Sequence, residues 1–219
     1  MPMPIITVIS DVICPWCFIG KRQLERALTV LAGQELGFAV AWHPYQLNPD
    51  MPVEGVERAA YRAAKFGSPE RGREIDARLA RAGEAVGIDF NFSAMRRTPN
   101  TVAAHRVIRA AGAEGRQNEV VERLFAAYFL EGRDIGDPDV LAACDAAAGG
   151  DAAATRALLA SDAHRAEVLA EDHAARRAGI SGVPSFVLAN HVLFSGALPA
   201  ETMAEAFAEA WKVLGRDAA

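Results

Sequence analysis

The stretch Ile5-Ile6-Thr7-Val8-Ile9-Ser10-Asp11-Val12-Ile13-Cys14-Pro15-Trp16-Cys17 decides how the rest of the chain is read. Its first five residues form a nearly continuous apolar run, which predicts a central strand covered on both faces. After a brief loop, Leu24, Ala27, Leu28 and Leu31 recur at helical spacing, so a helix begins around Cys14 and Pro15. Proline suits that place because its missing N–H would be unpaired in the first turn anyway. Two cysteines therefore bracket Pro15-Trp16 at a strand-to-helix junction.

That position gives the pair a chemical role. A thiolate is the nucleophile of disulfide exchange, and a helix N-terminus stabilises negative charge through its unpaired N–H groups and its dipole. Cys14 occupies that end and is expected to be the exposed, activated thiol. Cys17, one turn later and partly shielded, is close enough to attack a mixed disulfide at Cys14 and resolve it. Zinc would need two more Cys or His ligands at suitable spacing, and the chain's one remaining cysteine is Cys144. Two idle buried thiols would rarely bracket a Pro-Trp at such a junction. Thiol–disulfide exchange is the expectation, with no metal.

Outward from this stretch, Phe38, Val40 and Trp42 alternate as a strand does, completing a strand–helix–strand unit. A proline- and asparagine-marked loop, residues 44–50, leads into helical patterns that run as far as Gly179. Ser68-Pro69 and Asp137-Pro138 read as helix starts, Asp151 and Ser161 as further caps, and Gly179 as a C-terminal stop. Val120, Val121, Leu124, Phe125 and Tyr128 make one buried stripe, and Ile75, Leu79, Ala82 and Val86 another. Residues 185–189 and 192–195 are strand candidates around the turn-prone pair Asn190-His191, and Met203, Phe207, Ala210, Trp211 and Leu214 mark a closing amphipathic helix. Residues 1–50 and 180–219 complete one sheet only together. The expectation is an α/β domain of those two pieces, with residues 51–179 as a large all-helical insertion.

Hydrophobic residues make up 51% of the 219 and charged residues 23%, which is ordinary for a well-cored globular chain. Net charge is −5, so no global field draws the protein to phosphate backbones, and nucleic acid is not an expected partner. The clusters Arg96-Arg97 and Arg176-Arg177 read as solvated helix faces. The chain opens Met1-Pro2-Met3-Pro4 without the basic start of a secretory signal, and no run reaches membrane-spanning length, so a cytoplasmic location with no membrane partner is expected. Residues 215–219 carry no periodic apolar pattern, and disorder is expected there.

Four elements together resemble the DsbA-like branch of the thioredoxin superfamily: Ser10-Asp11-x-x-Cys14-Pro15-Trp16-Cys17-x-x-Gly20, Asn100-Thr101-x-x-Ala104-His105-Arg106, Gly182-Val183-Pro184-Ser185-Phe186-Val187, and Ser195-Gly196-Ala197. More narrowly, the chain is similar to FrnE-type oxidoreductases and the related 2-hydroxychromene-2-carboxylate isomerases. The resemblance implies a thioredoxin-like fold whose helical insertion forms a lid over the active site. It implies a cis Val183–Pro184 peptide packed against the cysteines, its backbone pairing with the substrate. Cys14, Cys17 and Pro184 are then the catalytic residues, and Pro15, Trp16, Val183, Asn100 and His105 line the substrate site. The expected substrate is a protein or small-molecule thiol or disulfide. Glutathione is a candidate co-substrate, and no other cofactor is expected beyond the redox-active pair. The periplasmic branch typically carries histidine where Trp16 stands.

Residue by residue, other readings stay open. Asn100 either caps the following helix or contacts substrate. His105, among Ala103, Ala104 and Val107, reads as a core histidine. Asp11 is placed to accept backbone N–H bonds in its loop. Cys144 shares an apolar face with Val140 and Leu141 and is expected to be inert. Two other functions fit the same resemblance, glutathione-dependent isomerisation of an aromatic intermediate and chaperone-like peptide binding. The isomerase branch generally lacks the two-cysteine motif, and retention of both cysteines argues against a binder without turnover.

Overall fold

The computed structural model describes residues 3–214. Segment 215–219, where sequence predicts disorder, lies outside the described residues.

The apolar run becomes β1 (Ile5–Ser10). The helix that follows, α1 (Pro15–Ala32), has Cys14 as its extended N-cap residue and proline in its first turn. Next comes β2 (Ala39–Pro44), which pairs in parallel with β1. The chain's last three elements, β5 (Ser185–Leu188), β6 (His191–Ser195) and the closing helix α9 (Ala200–Leu214), complete the layer. The sheet order is β2-β1-β5-β6, with β5 antiparallel to both β1 and β6. β1 is thus an interior strand formed only when the first and last parts of the chain meet. Ala189 and Asn190 both have positive φ and form the β5–β6 turn, one residue earlier than the expected Asn190-His191. Paired positive φ values match the right-handed twist of a two-residue hairpin.

Side chains on a strand alternate between faces, so β1 serves two cores. Ile6 and Val8 join the main cluster with Phe18, Phe186 and Phe207, whereas Ile9 packs with Tyr45, Ala175 and Ile180. α1 packs on α9, and helices that begin at Val102, Gln117 and Arg165 reach β2. β2 lies at the sheet edge, where backbone groups need partners. Gln117 supplies both: its Oε1 accepts from the Trp42 N–H at 3.0 Å and its Nε2 donates to the Trp42 carbonyl at 3.3 Å.

Between the halves run α2 (Arg58–Phe66), α3 (Pro69–Glu84), α4 (Val102–Gly112), α5 (Gln117–Phe125), α6 (Pro138–Ala147), α7 (Ala152–Ala160) and α8 (Arg165–Arg177). A π-helical turn, Ala126–Leu130, extends α5. Ser68, Asp137 and Asp151 accept first-turn N–H bonds as expected. Gly179, at φ 85°, sits just past the end of α8. Two readings need correction. The block is not wholly helical, because β3 (Val56–Glu57) and β4 (Arg97–Thr98) form a short antiparallel ladder. Ser161 is not the cap of α8; it ends α7, and His164 with a left-handed backbone precedes α8. Buried Arg106 instead organises this corner, donating to the carbonyls of Leu158, Ser161 and Ala163 at 2.6 Å each and so capping α7.

The block also grips the cysteine helix. Phe18, next to Cys17, stacks on Phe125 at 5.0 Å and meets Phe90 edge-on at 6.0 Å. Buried Lys21 lies 2.9 Å from Glu122, and Arg22 donates to the same carboxylate at 2.8 Å. Burial pushes the Glu122 carboxyl up, but hydrogen bonds from Arg22 and Lys21 outweigh it and hold it at about 2.

Candidate active site

The loop from β1 to α1 closes tightly. The Cys14 N–H donates to the Asp11 carbonyl at 3.0 Å, and the Cys14 carbonyl accepts from the Cys17 N–H at 3.0 Å to start the helix. Asp11 accepts a backbone N–H, but not in its own loop as expected: its Oδ2 takes the Leu47 N–H at 2.8 Å and ties this loop to the one after β2. Cys14 is not the exposed thiol expected from sequence: it is 5% exposed and Cys17 1%. The cover over Cys14 comes from the Val183 segment, whose carbonyl lies 3.6 Å from the Cys14 Sγ. Burial pushes the Cys17 thiol well up, reinforced by the hydrogen bond and charge of Cys14 and opposed by the Ser10 hydroxyl and the Asp11 N–H. Cys17 is therefore held protonated while Cys14 is free.

Val183–Pro184 is a cis peptide. The Pro184 ring sits against Gly20, where an added Cβ would lie 2.9 Å from the Pro184 Cγ and 3.7 Å from the Phe186 ring. Only a hydrogen fits at Gly20, so its place three residues after Cys17 is a steric requirement of the Pro184 seat. Ser185 fixes the start of β5, with its Oγ 2.8 Å from the Gly182 carbonyl and 2.6 Å from the Ser195 Oγ.

A cavity of about 370 Å³ opens beside Cys14. Pro15, Trp16 and Val183 line one side of it, and Trp16 is 46% exposed at the mouth. The other walls are Leu47 and Asn48 from the loop after β2, Arg58, Tyr61, Arg62, Lys65 and Phe66 from α2, Leu79 from α3, and Tyr128. Burial pushes the Tyr128 phenol far up, so it is neutral at any physiological pH. The sequence by itself does not single out the α2 residues as part of the site. Arg58, Arg62 and Lys65 recur at helical spacing, a legible basic stripe, but nothing in the sequence says that it faces Cys14.

The two other candidates lie elsewhere. Asn100 accepts the Val102 N–H at 3.0 Å and donates to the Met51 carbonyl at 2.8 Å, so both ends of its amide are used in holding the start of α4. It lines a separate cavity with Arg106, not the one at Cys14. His105 is buried, with its Nε2 3.5 Å from the Asp11 Oδ1, and lines a third cavity of about 340 Å³ over β2. Cys144 is buried behind α5, its Sγ 3.7 Å from the Arg123 carbonyl, and burial raises its thiol to about 11. Among the described residues, no group of His, Cys, Asp and Glu could hold a metal ion, and no helix is long and apolar enough to cross a membrane.

Comparison with known proteins places these features in a family. Residues 5–208 match the model of the DSBA-like thioredoxin domain. The uncharacterized protein YwbO of Bacillus subtilis (strain 168) is 28% identical over 189 residues, covering 86% of this chain and 88% of its own. The crystal structure of SCO1869 from Streptomyces coelicolor, described as a probable DsbA oxidoreductase, superposes with a TM-score of 0.86 at 29% identity, covering 95% of this chain and 90% of that one. The same fold, at 18% identity, appears in a 2-hydroxychromene-2-carboxylate isomerase (TM-score 0.67, 98% of each chain) and in the cytosolic disulfide reductase DsbM of Pseudomonas aeruginosa (TM-score 0.64, 96% and 99%).

Proposed function

We propose, since this chain belongs to the DSBA-like thioredoxin family and is an oxidoreductase of that fold, that it exchanges dithiol and disulfide with thiol substrates through Cys14 and Cys17. One observation carries the reading. Cys14 lines an open cavity at the head of a helix, while Cys17 stands one turn behind it, buried and protonated.

In the reducing direction, the Cys14 thiolate attacks one sulfur of a substrate disulfide. A Cys14–substrate bond forms, and the other substrate sulfur leaves as thiolate and takes up a proton. Capture of Cys14 removes two of the causes that raise Cys17, its hydrogen bond to Cys14 and the Cys14 charge. Cys17 then loses its proton more easily, attacks the Cys14 sulfur and expels the second substrate thiol. Two electrons have passed to the substrate, and Cys14–Cys17 is a disulfide. Proximity gives the second step a high effective concentration, so the mixed disulfide is short-lived. The reverse sequence oxidises a dithiol. The Val183 carbonyl beside the Cys14 sulfur is a ready partner for an extended substrate backbone.

A DsbM structure contains glutathione, which supports a small thiol as one class of substrate. We place the exchange in the cytoplasm by analogy with that cytosolic reductase. Reduction of insulin or hydroxyethyl disulfide by the wild-type protein, lost in Cys14→Ser, tests the reading. Glutathione-dependent turnover of an aromatic isomerase substrate that survives Cys17→Ala, without disulfide reduction, would replace it with isomerisation.

A further inference from the structure

The protein carries a net charge of −5, yet the cavity beside Cys14 is lined by three cations and, among the described residues, by no carboxylate. Arg58 and Arg62 share one acid outside the lining, Asp76, with nitrogen–oxygen distances of 3.6 and 2.7 Å. Lys65 pairs with no carboxylate among the described residues. Its Nζ donates instead to the Tyr61 hydroxyl at 2.6 Å and lies 3.4 Å from the Asn48 Oδ1, which also accepts from Tyr61 at 2.6 Å. That network orients the Asn48 amide, and its buried Nδ2 is left without an acceptor. An exposed ammonium ion without a counter-charge thus stands on the cavity wall, and it is satisfied by an acceptor that carries negative charge. The apolar flank formed by Ile13, Trp16, Phe66 and Leu79 has room for a short carbon chain.

We infer that the Cys14 site selects anionic small-molecule disulfides and thiols, with Lys65 as the residue that recognises a substrate carboxylate. This rests on the exchange reading above and adds charge selection to it. Lys65 acts on binding. It leaves the sulfur chemistry unchanged, so its effect follows substrate charge.

Three disulfides of similar length separate the terms: 3,3′-dithiodipropionate (dianionic), hydroxyethyl disulfide (neutral) and cystamine (dicationic). The rate at which each oxidises the reduced protein is divided by its rate with free dithiothreitol, which removes intrinsic differences in reactivity. The expected order is anionic, then neutral, then cationic, with about a tenfold span at low salt that shrinks as ionic strength rises. Lys65→Gln should lower the anionic-to-neutral ratio about threefold, Lys65→Glu should invert it, and Lys65→Arg should restore it. Equal normalised rates for all three disulfides, or a Lys65→Glu variant with the wild-type ratio, would overturn charge selection while leaving exchange intact. Failure of all three to oxidise Cys14 would instead overturn the exchange reading itself and this inference with it.

Discussion

The cavity beside Cys14 and the cavity over β2 are similar in size, about 370 and 340 Å³, and both are rich in ionisable side chains. They differ in how those side chains are used. Over β2, Glu171 is engaged by Arg109 and lies 3.1 Å from the His43 Nδ1, while Gln117 spends both ends of its amide on the edge of the sheet. Beside Cys14, an uncompensated ammonium, a free thiol and an exposed indole face the same space. The acid and bases over β2 balance one another, whereas beside Cys14 a cation without a carboxylate faces a thiol. Unmet bonding capacity by itself does not separate the two, since Ser10, Trp42, His105 and His164 over β2 each keep a buried polar atom without a partner. Pocket volume does not distinguish the two cases.

The largest expected effect that sharpens this contrast is at the sulfur. Cys14→Ser should abolish disulfide exchange, while Arg109→Ala, on the other cavity, should leave it within about twofold and cost about 0–1 kcal/mol of stability as a partly exposed ion pair. A comparable loss of exchange from both variants would break the contrast. Gly20→Ala comes next. The new methyl has to displace the Pro184 ring, so a stability loss of about 1–3 kcal/mol is expected in denaturant unfolding, together with slower exchange. Wild-type kinetics in that variant would show that the Pro184 seat does not matter to the site.

The third effect concerns the grip of the helical block on α1. Glu122 is held at about 2 when folded, below the roughly 4.3 of an unfolded glutamate. A depressed carboxyl stabilises the fold above the unfolded value, and that contribution is lost as pH falls from about 4.3 towards 2. Glu122→Gln should flatten this part of the acid-unfolding curve, and an unchanged acid limb would argue against the tether. The smallest effect is at Cys144, which is protonated at neutral pH and walled in behind α5. Cys144→Ala should leave exchange unchanged, and iodoacetamide should label Cys144 only on unfolding.

The stretch around Cys14 was legible because its signals are local: an apolar run, a proline at a helix start and a two-residue cysteine spacing. The same holds for Ser68, Asp137 and Asp151, whose side chains cap the turn beside them. What was not legible depends on distant partners. β3 and β4 are two residues each, too short for any alternation to register. Ser161 misled because it ends α7, where Arg106 from another helix takes its carbonyl, and His164 stands before α8. Cys14 is covered by a segment 169 residues away, which no helix-end argument reveals. Asn100 and His105 belong to a resemblance-bearing element, yet their side chains turn to Met51 and Asp11 and away from the Cys14 cavity. The basic stripe of α2 could be read, but its facing Cys14 follows only from the packed fold.

The proposed exchange depends on a division of labour between a cavity-facing Cys14 and a resolving Cys17, and a trapping experiment tests it most directly. Reduced wild-type, Cys14→Ala and Cys17→Ala proteins are mixed with a disulfide substrate, quenched in acid and weighed intact by mass spectrometry. The expected result is a persistent substrate adduct on Cys14 in Cys17→Ala, an internal disulfide without adduct in the wild type, and no adduct in Cys14→Ala. An adduct that accumulates in Cys14→Ala but not in Cys17→Ala would reverse the roles and contradict the account.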